Sequence, residues 1–157
     1  MRAGVQVLLP VDVETAWSTL TDWKRQPSWM RDAAEVRVVG PREEGVGTRI
    51  AVRTDVLGVP AFTDVLEVTR WQPPTRLVME HRRFVRGVGV WRLESRDERT
   101  VFSWVEEVAL PVPILGALAL AVYRPVMRTL MRRSMRGLQE ALSAGRPSAL
   151  PPPRAIA

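Results

Sequence analysis

The 157-residue chain has no cysteine, which excludes a disulfide framework, a thiolate nucleophile and a zinc ribbon. It has a single histidine, His81, too few imidazoles for the usual transition-metal sites, so neither a metal nor a cofactor is expected. Lysine is nearly missing as well: Lys24 stands alone among 23 basic residues. The net charge of +6 therefore comes from arginine spread along the chain and is weak evidence for a polyanion partner. Long apolar runs are also absent. The stretch from Val112 to Tyr123 has about 12 residues, interrupted by Pro113 and Gly116, where about 20 are needed to cross a bilayer. The opening MRAGVQVLLPVDVETAW holds only a short apolar run broken by Pro10 and Asp12, which is not the pattern of a signal peptide, and a cytoplasmic location is the simplest expectation.

What is present fits one globular domain: 46% hydrophobic and 25% charged residues in a length that supports a single core. Val5, Val7 and Leu9 alternate as a strand, and Asp12 follows as a helix N-cap. Ala16, Trp17 and Leu20 share a helix face, and TDWKRQPSWM reads as a second short helix broken at Pro27. From Ala34 the spacing turns strand-like. VRVV, TRIAVRTDV, FTDVLEVTRW, RLVMEHRRF, GVWRLES and TVFSWVEEVAL give six candidate strands with connections short enough for antiparallel hairpins. GVGT (Gly45 to Thr48) precedes a strand, where a phosphate loop would precede a helix, and reads as a hairpin turn. A long helix runs from beyond Pro113 to about Ser143. The order predicts an α+β domain over 1–144, about seven strands in one curved antiparallel sheet wrapped on a C-terminal helix. A Pro-rich tail over 145–157 is expected to be flexible.

Four segments carry a resemblance to a known family: VDVETAWSTLTDWKRQPSW, EEGVGTRIAVR, VWRLESRDERTVFSW and YRPVMRTLMRRSMRGLQEAL. Together, over roughly Val5 to Leu142, the chain resembles the START-like helix-grip superfamily and, within it, the polyketide cyclase/dehydrase and lipid-transport family. The resemblance implies a sheet that grips the last helix around a deep, mostly apolar cavity for lipids, isoprenoids, polyketides or similar ligands. Some relatives are aromatase/cyclases, and many are carriers without chemistry of their own.

Strand alternation then selects the residues that face such a cavity. Met79 and His81 share a face with Leu77, and Trp91 shares one with Leu93. Trp104 shares its face with Phe102 and Glu106, and Asp64 shares one with Phe62, Leu66 and Val68. Trp29, Met79, His81, Trp91 and Trp104, with Leu118, Met127 and Met131 of the long helix, are the expected ligand contacts. An inward carboxylate at Asp64 or Glu106 would have a raised pKa and serve acid–base chemistry; alternatively it pairs with an arginine such as Arg53, or a bulge turns it outward. The candidates for proton transfer are His81, Asp64, Arg53, Tyr123 and Glu106, without a nucleophile or metal.

Along the long helix, Arg124, Arg128, Arg132 and Arg136 recur every fourth residue, with Arg133 beside them. Val126, Met127, Leu130, Met131, Ser134, Leu138, Ala141 and Leu142 form the expected packing face, and Pro125 either kinks the helix or starts its regular part. Three functions follow in order of preference. The first is binding of a hydrophobic small molecule, and the second is an aromatic polyketide cyclase/dehydrase. The third is a peripheral protein whose arginine stripe contacts an anionic membrane or a partner. Nucleic acid is not an expected partner, for want of a groove-reading motif.

Overall fold

Ala3, Val5, Val7 and Leu9 are buried along β1 (Arg2–Leu9), as their alternation dictates. This strand begins the computed structural model, which describes residues 1–31, 33–56, 59–83, 85–110, 113–144 and 151–156, with the backbone alone at 56, 59–61, 113–118 and 120. Asp12 caps α1 (Val13–Thr21): its carboxylate accepts the Thr15 backbone N–H at 2.8 Å and the Thr15 hydroxyl at 2.9 Å. These bonds, the backbone one first, hold the Asp12 carboxyl below its usual pKa. The second helical segment is a 3₁₀ helix, Trp23–Ser28, which contains Pro27.

The strands β2 (Ala33–Val38), β3 (Arg49–Val56), β4 (Val59–Gln72), β5 (Arg76–His81), β6 (Arg86–Arg96) and β7 (Arg99–Ala109) form an antiparallel meander. β1 pairs with β7 and closes the order β2-β3-β4-β5-β6-β7-β1-β8. Bulges in the β2–β3, β3–β4 and β4–β5 pairings bend this half of the sheet, since an extra residue on one strand increases local twist. The sheet has eight strands rather than seven. The added one, β8 (Arg154–Ile156), comes from the tail expected to be flexible and pairs antiparallel with Gly4–Gln6 of β1. Arg154 donates to Gln6 Oε1 from Nη2 at 2.6 Å and from Nε at 3.0 Å, which fixes this short strand in register. The rest of the tail, 145–150 and residue 157, lies outside the described residues.

The C-terminal helix α2 (Pro113–Ser143) is continuous, with Pro125 inside it rather than at its start. Its second half docks through a mixed face. Met131, Met135 and Leu138 enter the core. The Ser134 hydroxyl accepts the Arg31 N–H at 3.0 Å, and the Gln139 amide donates to the carbonyls of Leu8 at 3.0 Å and Pro151 at 3.1 Å. Val126 and Ala141, expected on this face, are exposed, and Met135 takes a place the spacing did not assign. Arg124, Arg132, Arg133 and Arg136 are exposed, but Arg128 is half-buried and its Nε has no hydrogen-bond partner. Among the described residues no helix is long and apolar enough to cross a membrane.

Gly137 decides how closely α2 can approach. A Cβ there would sit 2.6 Å from the Trp29 carbonyl oxygen, a backbone atom that cannot swing aside. In an open helix Gly→Ala gains about 1 kcal/mol, whereas overpacking costs about 1–3 kcal/mol. We therefore expect Gly137→Ala to lower the urea midpoint; an increase would mean that α2 does not rest on Trp29.

Candidate functional site

All six tryptophans belong to one connected cluster. Trp17 meets Trp71 edge to face with centroids 5.1 Å apart, Trp71 leads to Trp23 at 6.3 Å, and Trp23 to Trp91 at 6.5 Å. Trp91 then contacts Trp29 at 6.4 Å and Trp104 at 6.2 Å. Only its far end, Trp91 and Trp104, reaches a cavity of about 440 Å³ between the sheet and α2. Trp29 is buried behind Trp91 and does not line that cavity. The indole N–H groups of Trp29 and Trp91 have no hydrogen-bond partner.

Most of the cavity wall is apolar, including Ile50, Phe62, Leu66, Met79 and Val108 from the strands and Met127 and Met131 from α2. Tyr123 of α2 also lines it. The side chain of Leu118, an expected contact, lies outside the described residues.

Three ionisable side chains on three strands converge in this wall. The His81 ring places Nδ1 2.5 Å from Asp64 Oδ2 and Nε2 3.1 Å from Glu106 Oε2. Glu106 Oε1 accepts the Trp104 indole N–H at 2.6 Å. The side chains of Asp64, His81 and Glu106 are 6%, 14% and 9% exposed, so these contacts are shielded from water.

Strand register explains how they meet. His81 lies opposite Leu66, which makes Asp64 its diagonal neighbour on the same face of β4. Glu106 is further away, on β7, with β6 between. It reaches His81 because the residue opposite it on β6 is Gly89, where a Cβ would sit 2.7 Å from Glu106 Oε1. The missing side chain at Gly89 is thus the passage through which the two strands share a charged contact.

Burial is the largest influence on His81 and by itself would lower its pKa. The hydrogen bonds to Asp64 and Glu106, with their negative charges, outweigh it and raise the value from 6.5 to about 9. At neutral pH His81 is an imidazolium whose two N–H groups each donate to a carboxylate. The ring nitrogens therefore face two carboxylates rather than one shared point, and among the described residues no group of His, Asp and Glu is arranged to hold a metal ion.

Of the residues expected to move protons, Asp64, His81, Glu106 and Tyr123 line the cavity and Arg53 does not. Arg53 is half-exposed and pairs with Glu35 at 3.6 Å and Asp55 at 3.8 Å, so it is not the partner of Asp64. Alternation put Arg53 and Asp64 on neighbouring strands without showing that they face opposite ways: Asp64 is opposite Val52, and Arg53 is one residue out of phase. Gln26 was missed. It lines the cavity from the 3₁₀ helix and spends its amide N–H on the Leu20 carbonyl at 2.8 Å. A polar residue between Arg25 and Pro27 carries no sequence signal of burial.

Comparison with known proteins agrees with this architecture. Residues 2–143 match the family described as polyketide cyclase / dehydrase and lipid transport. No curated protein matches the chain in sequence. Among solved structures, a protein from Thermus thermophilus superposes with TM-score 0.76 at 19% identity, over 92% of this chain and 98% of that one. A START superfamily protein from Mycobacterium smegmatis gives 0.69 at 13% identity, over 91% and 97%. The Zhui aromatase/cyclase from a Streptomyces species gives 0.68 at 16% identity, over 94% and 99%.

Proposed function

Because the chain belongs to the polyketide cyclase/dehydrase and lipid transport family, we propose that it binds a hydrophobic small molecule, lipid, isoprenoid or polyketide-like, in the cavity between the sheet and α2. The observation that carries this reading is the cavity itself. It encloses about 440 Å³, within the range of small-molecule sites, and its polar groups gather at few points in an otherwise apolar wall. The same wall contains Trp91 and Trp104, so a ligand entering it perturbs the tryptophan cluster directly.

Native mass spectrometry of the purified chain is expected to show a bound species of a few hundred daltons, about the size such a volume admits. Delipidated protein should change its tryptophan emission when an apolar ligand is added. Repeated recovery of bare chain, with emission unmoved by any apolar ligand, would sink the proposal.

A second reading rests on the Asp64–His81–Glu106 array, since holding an apolar ligand does not require three buried ionisable groups. In that reading the array exchanges protons with a polyketide-like substrate during ring closure or loss of water, as the aromatase/cyclase relative's name suggests. Both N–H groups of His81 are engaged, so a proton would leave through a carboxylate contact that opens when substrate arrives. Conversion of the added ligand to a product lighter by about 18 Da, the loss of one water, would favour this reading over simple binding.

A further inference from the structure

The polar groups of the cavity wall are unequal in what they have left to offer. Several hydrogen-bond donors around the charged cluster are engaged: both His81 N–H groups go to carboxylates, the Trp104 indole goes to Glu106, and one N–H of the Gln26 amide goes to Leu20. Each carboxylate oxygen, by contrast, has two lone pairs, and Glu106 accepts from His81 on one oxygen and from Trp104 on the other. The cluster also sets two carboxylates against one imidazolium, which leaves an excess of negative charge in a wall of low polarity.

A hydroxyl group matches these features, since its hydrogen goes to a carboxylate oxygen and it adds no charge. A carboxylate brings a third anion beside two carboxylates that share a single imidazolium. We propose that the cavity selects apolar ligands that end in a hydroxyl, an alcohol or a phenol, over the same ligands ending in a carboxylate. This rests on the cavity-binding reading and adds a ligand class to it.

The test compares 1-decanol with decanoate, which share a chain and differ at the polar end, by tryptophan emission titration of the delipidated full chain at neutral pH below their aggregation limits. Decanol is expected to bind about tenfold more tightly or better, the effect of leaving a buried polar group unpaired. Glu106→Gln removes one negative charge and supplies an amide donor, so it should narrow the gap by strengthening decanoate. Equal or tighter binding of decanoate to the native chain overturns the hydroxyl preference while leaving the cavity reading intact. Failure of both to bind, with the chain folded by circular dichroism, removes the cavity reading and this inference with it.

Discussion

His81→Ala is expected to cost about 3–5 kcal/mol of folding stability at neutral pH, the usual effect of removing one partner from a buried ion pair. The loss of ring packing is the smaller part. Without the imidazolium, Asp64 and Glu106 remain in an apolar wall, at 6% and 9% side-chain exposure, and each loses its contact with a positive charge at His81. A domain of this size has a total stability of about 5–15 kcal/mol, so the variant should be near the limit of folding. A variant that removes the whole array, Asp64→Leu with His81→Met and Glu106→Gln, leaves no unpaired charge and keeps an acceptor for the Trp104 indole. Replacing buried ionic groups by apolar ones of similar size is often neutral or stabilising, so this triple variant should recover most of the loss. Urea unfolding of the three chains checks the pattern. A His81→Ala midpoint equal to that of the native chain would show that the three groups do not form a coupled cluster.

If the prediction holds, the array reduces stability relative to an apolar core, and its presence is explained by the ligand rather than by the fold. Much of the surrounding frame was legible in the sequence. Alternation in RLVMEH placed Met79 and His81 on the buried face, and alternation in TVFSWVEEV placed Trp104 and Glu106 together. Both patterns are local and repeat every two residues, so no tertiary knowledge was needed. The meeting of His81 with Glu106 was not legible, since it spans 25 positions and depends on a third strand being empty at Gly89. A glycine within GVGVW, opposite an inward glutamate, is the one signal that would have hinted at it.

Other failures have equally specific causes. β8 is only three residues long and is held by Arg154 on Gln6, an interaction 148 positions apart that no local pattern encodes. The packing face of α2 was assigned by counting apolar residues, but this helix docks partly through Ser134, Gly137 and Gln139, each of which contributes a hydrogen bond or close approach rather than apolar area. Trp29 looked like a cavity residue because size and rigidity suit a pocket wall. Its ring instead supports Trp91 from behind, a layer of packing that alternation does not resolve.

The same cluster predicts a pH dependence with a definite sign. His81 titrates at an ordinary 6.5 in the unfolded chain and at about 9 in the folded one, so the folded state binds the proton more tightly. A raised pKa contributes its stability fully below 6.5, and the contribution is lost as pH rises through about 9. The displacement corresponds to about 3 kcal/mol, falling by about 1.4 kcal/mol for each pH unit inside that window. The groups that face His81 are Asp64 from β4 and Glu106 from β7, and Tyr123 lines the same cavity from α2. Urea unfolding of the native chain from about pH 6 to about pH 10 should therefore show a declining midpoint that levels off near the top of the range. In the triple variant, which has no histidine, the decline should disappear, and in Tyr123→Phe it should persist. A native chain equally stable at both ends of the range would mean that His81 is not held as an imidazolium.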